Sequence, residues 1–306
     1  MIYVALSTFA EYDDSAVELL RSAKIPFTTN RLGRRLKREE VVEFGAGFAG
    51  IVAGVEPYDA GVLEALPGLR CISRCGVGVD NIDLVAARRT AVAVRNTPAA
   101  VIQPTAELAL AMILGLARNL AFHTDSIRGG GWSKRVGVLL GGRTAGIIGT
   151  GRIGRRVAEM LCALDVAVLG ADLRPDLDWA ARHGVSMVTT EELLARSDIV
   201  TLHVADVPGQ PFRMGPEAFR AMKDGAFLVN VARGQFLDEA ALLEALDSQK
   251  LAGAALDVYS DEPYRGPLAG LDNVILTPHV ATLTRESRAR MELEAVRNVL
   301  SALSEG

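Results

Sequence analysis

The chain has 306 residues, of which 49% are hydrophobic and 23% charged, a balance that fills one large or two ordinary domains and excludes disorder as the dominant state. Lys and Arg total 33 against 37 Asp and Glu, for a net charge of −4, so no global positive excess exists to carry nucleic-acid binding. Aromatic residues are 5%, which argues against a base-stacking platform, and Cys71, Cys75 and Cys162 are too few and too poorly accompanied for a disulfide framework or a metal centre.

Met1–Leu6 has no basic start and no long apolar core, and Glu11, Asp13 and Asp14 follow it. It reads as a strand and not as a leader peptide. The most apolar window, Ala106–Ala117, contains Glu107 and is too short to span a bilayer. A cytoplasmic protein without membrane association is expected. Short apolar runs then alternate with helical patterns, the signature of parallel α/β layers. The spacing predicts strands at Ile2–Leu6, Gly50–Ala53, Cys71–Ser73 and Ala91–Val94, with helices near Ser15–Ala23, Ala60–Leu66 and Leu84–Arg89. The basic run from Arg31 to Arg38 reads as a solvated surface segment.

A helix over Thr105–Leu120 is apolar on all sides and so requires cover on several, by the core or by a second subunit. The second block predicts strands at Ala145–Ile148, Val166–Gly170, Ile199–His203, Ala226–Val231, Ala252–Leu256 and Val274–Leu276. Helices fall at Arg152–Leu164, Trp179–Arg182, Glu217–Met222 and Glu239–Leu246. The last helix, Thr284–Leu303, puts Ala289, Leu293, Val296, Leu300 and Leu303 on one stripe.

Gly149-Thr150-Gly151-Arg152-Ile153-Gly154 fits G-x-G-x-x-G between a predicted strand and a predicted helix. Gly149 permits the tight turn, Gly151 lets the backbone approach a pyrophosphate, and Gly154 lets helix and strand pack closely. The pyrophosphate then meets unpaired amides at the positive end of a helix. Asp172, about twenty residues on, stands where an acid accepts bonds from the adenosine ribose and repels a 2′-phosphate. This predicts NAD over NADP, a preference that Arg174 would soften. Three further strands end in charge: Arg233 after Phe227–Ala232, Asp257 after Ala252–Leu256 with Glu262 beyond, and His279 after Val274–Leu276. Open α/β sheets bind ligands at that end.

In these segments the sequence resembles the D-2-hydroxyacid dehydrogenase family. The resemblance runs through Gly76-Val77-Gly78-Val79-Asp80-Asn81-Ile82-Asp83, Asn96-Thr97-Pro98, Gly149–Gly154 with Arg155, and Asn230-Val231-Ala232-Arg233-Gly234. It continues through Ala255-Leu256-Asp257-Val258-Tyr259, Glu262-Pro263 and Thr277-Pro278-His279. It implies two doubly wound parallel-sheet α/β domains: a Rossmann-type cofactor domain over 99–280, inserted in a smaller flavodoxin-like substrate domain over 1–98 plus 281–306. The implied reaction moves a hydride between NAD and C2 of a D-2-hydroxy or 2-keto acid, with 3-phosphoglycerate as one candidate.

By position, the resemblance makes His279 the proton donor and acceptor, Glu262 its partner, and Arg233 the residue that binds and polarises substrate. It implies that the Gly76-Val77-Gly78 amides grip the substrate carboxylate, with Arg74 adding charge. Asp257 is expected at the nicotinamide carboxamide. Thr105, Thr150, Arg152, Ile153, His203, Val204, Val231, Ala232, His279 and Ala281 are implied as further cofactor contacts. Dimerisation through the cofactor domain is also implied.

Two departures stand out: Val204-Ala205-Asp206 replaces a frequent Pro-Leu-Thr and would place an acid near the nicotinamide side, and Ala281 stands where a glycine is frequent after the histidine. No regulatory C-terminal domain, and so no feedback control through one, is expected. An NADH-sensing corepressor or a phosphite-oxidising enzyme on the same scaffold is the alternative. Formate oxidation is disfavoured because Glu262 stands where such enzymes place Gln.

Overall fold

The computed structural model describes residues 1–207 and 209–305. The chain divides into two compact units, Met1–Pro104 with Thr282–Gly306, and Thr105–Ala281.

The first unit contains β1 (Ile2–Val4), α1 (Ser15–Ser22), β2 (Phe27–Thr29), α2 (Arg38–Gly45), β3 (Gly50–Ala53), α3 (Ala60–Glu64), β4 (Cys71–Arg74), α4 (Leu84–Arg89), β5 (Ala93–Arg95) and the C-terminal α12 (Arg285–Ser304). Its strands form a parallel sheet in the order β2-β1-β3-β4-β5, with the switch point between β1 and β3. β1 and β3 are buried throughout, as parallel strands covered on both faces must be. Helices α3 and α4 start on Asp59 and Asp83, whose carboxylates accept amides of the first turn. From Arg31 to Arg38 only Leu36 is buried.

The second unit opens with α5 (Ile102–Ala117), which begins just before its boundary, and α6 (Leu120–Arg128). There follow β6 (Thr144–Ile148), α7 (Arg152–Cys162), β7 (Ala167–Ala171), α8 (Leu177–His183), β8 (Val185–Met187), α9 (Thr190–Arg196) and β9 (Ile199–Leu202). It ends with α10 (Pro216–Ala221), β10 (Ala226–Asn230), α11 (Glu239–Asp247), β11 (Leu251–Leu256) and β12 (Val274–Leu276). The seven strands are parallel in the order β12-β11-β10-β9-β6-β7-β8. The strand order reverses at β6 and β9, the Rossmann switch point.

Several expectations need correction. The predicted apolar helix over Thr105–Leu120 stops at Ala117, because Asn119 adopts a left-handed conformation (φ 51°) and turns the chain into α6. Its cover is also incomplete: Ala106, Ala109, Met112, Ile113 and Leu116 face the core, while Glu107, Ala111 and Leu114 form an exposed line. On α12 the buried face is Met291, Ala295, Val296 and Val299. Of the predicted stripe only Val296 belongs to it. The helix packs against β3, β4 and α1, and Gly50 lets it approach so closely that a Cβ there would lie 2.5 Å from Val299. The prediction passed over β2, α2, β8 and α9. β2 and β8 are three-residue edge strands, too short to show an alternation. No single helix among the described residues is long and apolar enough to cross a membrane.

Candidate active site

The larger sheet builds its first feature at the switch point. β6 runs into Gly149, which has φ 94° and donates its amide to the Ala171 carbonyl at 2.8 Å. A Cβ on Gly149 would lie 2.6 Å from the His203 carbonyl oxygen, and one on Gly154 would lie 2.0 Å from the Gly149 oxygen. Both glycines are therefore demanded by backbone packing. Gly151, the N-cap of α7, has nothing within 4 Å of a built Cβ. The amides of the first turn of α7 thus open on free space, as an anion site requires.

Asp172, just past β7, is locked in place. Its Oδ2 accepts the Thr150 amide at 2.7 Å and the Thr150 hydroxyl at 3.2 Å, and its Oδ1 accepts the Arg174 amide at 2.9 Å. Arg155 ties this corner together: Nε donates to the Thr150 carbonyl at 3.0 Å, and the guanidinium pairs with Asp176 at 3.0 Å beside the Trp179 ring. One cleft is lined by Gly149, Gly151, Asp172, Arg174, His203 and Val204. It fits a dinucleotide, with the glycine turn and, bonded to its Thr150, a fixed carboxylate for the ribose. Burial pushes the His203 imidazole down to about 3, so the ring is neutral, and Nε2 sits 2.9 Å from the Thr201 hydroxyl. Asp206 is exposed, and its neighbours Ala205 and Val207 line this cleft. Thr105, Val231 and Ala232 are buried.

The second feature is the end of the adjacent trio β10, β11 and β12, which pair with Asn230 opposite Leu256 and Leu256 opposite Leu276. Their carboxyl ends are therefore level, and Arg233, Asp257 and His279 emerge on one edge. Asn230 shapes the first turn, with Oδ1 accepting the Ala232 amide at 3.0 Å and Nδ2 donating to the Arg233 carbonyl at 2.9 Å. Arg233 is half-buried and donates to the Ala232 carbonyl at 2.7 Å.

Asp257 is fully buried. Its carboxylate accepts the Thr277 hydroxyl at 2.5 Å, the Val280 amide at 2.8 Å and the Ala281 amide at 2.9 Å, and its carbonyl accepts the His279 amide at 2.9 Å. The 277–281 turn is thus wrapped around one carboxylate, which holds His279 at φ 54°, a region that a side-chain-bearing residue enters only when its surroundings impose it. Asp257, expected at the cofactor amide, holds this turn together.

The His279 side chain is 49% exposed, and its Nδ1 lies 2.9 and 3.2 Å from the two Glu262 oxygens. Glu262 is steadied by the Tyr259 amide at 3.1 Å. The Tyr259 hydroxyl lies 3.0 Å from the Leu256 and Thr277 carbonyls, and its ring stacks on Tyr264. Burial and the nearby Asp257 charge raise this phenol to about 12, so it stays a donor.

In the first unit, β4 ends at Arg74 and leads to Gly76, which has φ 140°. A Cβ there would lie 1.4 Å from the Arg74 Nη1, so the guanidinium lies over this turn. The Gly76 amide donates to the Thr97 hydroxyl at 2.7 Å, and Asn96 donates to the Val77 carbonyl at 2.8 Å. Of the three amides expected to grip an anion, Gly76 is thereby taken, and those of Val77 and Gly78 remain. Cys71 and Cys75 are buried, and desolvation raises their thiols to about 11 and about 12.

The Arg, Glu and His expected from the sequence therefore share one edge, and two of them are in contact. Sequence reasoning missed Asn230, Tyr259 and Thr277 as positioning groups. Thr277, two residues before His279, carried a local signal only in retrospect. Of the other histidines, His183 stacks on Trp179 and His123 meets Phe122 edge-on.

A Rossmann sheet with this glycine turn and this ribose acid defines a nicotinamide-dinucleotide-binding protein. Residues 110–281 match the D-isomer specific 2-hydroxyacid dehydrogenase NAD binding domain, and the chain belongs to that family and binds NAD. It is 40% identical over 271 residues to D-3-phosphoglycerate dehydrogenase of Archaeoglobus fulgidus, covering 87% of this chain and 51% of that one. The chain thus spans about half the length of the curated relatives it first matches. The solved TT0316 protein of Thermus thermophilus superposes with a TM-score of 0.90 at 34% identity, over 99% of this chain and 97% of that one. A glyoxylate reductase from Paecilomyes thermophila gives 0.88 at 30%, over 100% and 95%.

Proposed function

We propose that the chain is an NAD-dependent D-2-hydroxyacid dehydrogenase that interconverts a 2-keto acid and its D-2-hydroxy acid. The observation that carries this reading is the 2.9 Å contact between His279 and Glu262 on the sheet edge that also bears Arg233. When bound, NAD accepts or supplies hydride at nicotinamide C4. Glu262 occupies Nδ1 of the imidazole, which leaves Nε2 to exchange a proton with the substrate C2 oxygen. The imidazolium gives that proton during keto-acid reduction, and the neutral ring takes it during oxidation. The Glu262 contact sets the ring plane. Arg233 holds the substrate carboxylate with a planar fork and stabilises charge growing on the C2 oxygen. The Val77 and Gly78 amides, with Arg74, form a candidate anion-binding turn of the first unit.

The names of the relatives make phosphohydroxypyruvate and glyoxylate the first substrates to try. The test is NADH oxidation by the wild type over a panel of 2-keto acids containing both. Turnover of at least one is expected, and in His279→Asn the rate should fall by about 10²- to 10⁴-fold while NADH fluorescence titration is unchanged. A wild type that binds NADH and consumes nothing in the panel overturns the reading in favour of an NADH-sensing module.

The second unit also exposes Trp132 (79%), Val136 (98%) and Leu139 (78%) beyond α6. Apolar residues exposed in such a run call for a partner surface, and a second copy of this chain is the proposed occupant. Sedimentation should give a mass twice that of the chain; a monomer at micromolar concentration overturns it.

A further inference from the structure

We propose that Glu239 is a positioning residue that clamps the Arg233 turn to the Glu262 loop, so that the two charged groups of the edge move as one body. Glu262 lies on a stretch without regular structure, six residues past the end of β11. Glu239 lies in the first turn of α11, which follows Arg233 after one short 3₁₀ turn. Its Oε1 accepts the Ser260 amide at 2.8 Å. The neighbouring amide, Tyr259, donates to Glu262 Oε1 at 3.1 Å.

Two successive amides of one loop are thus taken by two carboxylates, one from α11 and one that touches His279. The same loop meets the Arg233 turn directly. A Cβ on Gly234 would lie 1.8 Å from the Tyr259 carbonyl carbon, and the Ser260 hydroxyl lies 3.4 Å from the Gly234 carbonyl. A carboxylate in the first turn of a helix is favoured by the exposed amide dipoles there, so Glu239 is a stable anchor. Losing its oxygen leaves the Ser260 amide without this partner. The 259–260 stretch is then held only by the Ser260 hydroxyl and its packing on Gly234, and the slack passes to the adjacent Tyr259 amide, to Glu262 and to the alignment of His279. Small displacements at a reacting centre are costly because they spoil the approach geometry, by about 10²-fold for 1 Å.

The kinetic arm rests on the dehydrogenase reading above, and the spectroscopic arm does not. In Glu239→Ala, kcat should fall by about tenfold with the keto-acid KM changed by less than about threefold, the pattern of an interaction realised in the transition state. The His279 ring-proton NMR signal, assigned by its absence from His279→Asn, should move in the same variant. Glu239→Gln keeps an oxygen acceptor and should restore both. NADH affinity and far-ultraviolet circular dichroism should match the wild type in all. Glu239→Ala with either kcat or the His279 signal at the wild-type value overturns the proposal, even if its melting temperature falls, and so does failure of Glu239→Gln to rescue. If the wild type consumes no 2-keto acid, the dehydrogenase reading fails, and the His279 signal alone decides the clamp.

Discussion

The two glycine turns of this chain make opposite use of the same residue. In the Gly149–Gly154 turn the atoms a side chain would strike are main-chain ones, the His203 oxygen and the Gly149 oxygen, and the middle glycine faces open space. In the Gly76–Gly78 turn the atom struck is the end of a flexible side chain, the Arg74 guanidinium. Main chain in a packed sheet cannot yield, so the first turn is a rigid cradle whose shape exists before any ligand arrives. A guanidinium can swing, so the second turn carries a movable charge over it. The first suits an invariant pyrophosphate and the second a variable organic acid.

Gly154→Ala should break the rigid cradle outright. Its methyl overlaps fixed backbone, which should cost about 3 kcal/mol in urea denaturation and abolish NADH binding. Gly151→Ala sharpens the contrast: with φ −69° and open surroundings it should hold stability within about 0.5 kcal/mol. It should nonetheless weaken NADH binding by tenfold or more, about 1.4 kcal/mol, because its methyl occupies the pyrophosphate space. Equal behaviour of the two variants would erase the distinction.

Gly76→Ala comes next in size. The guanidinium can move aside, so only the positive φ should cost stability, about 1–2 kcal/mol, and the keto-acid KM should rise while NADH affinity holds. An unchanged KM would remove Arg74 from the site.

The smallest effect concerns His203, whose carbonyl walls the cradle. Its folded pKa of about 3 lies below the usual 6.5. Between these values the unfolded chain binds a proton that the folded chain does not, so stability falls as pH falls through that window. His203→Gln should flatten the acid limb of the thermal midpoint against pH, and an identical limb in both proteins would show the ring to be solvated.

The positions of the charged residues were legible because each follows an apolar run long enough to mark a buried strand: Phe227–Val231 before Arg233, Ala252–Leu256 before Asp257, Val274–Leu276 before His279. The glycine turn was legible for the same reason, with strand before and helix after. The partner of His279 was not, since nothing local distinguishes Glu262 from Asp261 or Glu286; only the resemblance singled it out. Nor was the task of Asp257 legible, because the groups it holds lie 20, 23 and 24 residues further along the chain.

By itself the sequence determined where the strands other than the short edge strands β2 and β8 enter the two sheets and which charged side chains emerge at their ends. Burial on both faces demands continuous apolar runs, and these are written locally. Tertiary structure alone decided which side of α12 is buried, that α5 breaks at Asn119, and which carboxylate grips which loop. Those outcomes depend on neighbours brought together from distant parts of the chain: α12 packs against β3, β4 and α1, and its buried stripe includes Ser287 and Glu292 beside Met291, Ala295, Val296 and Val299, polar residues that a search for an apolar stripe passes over.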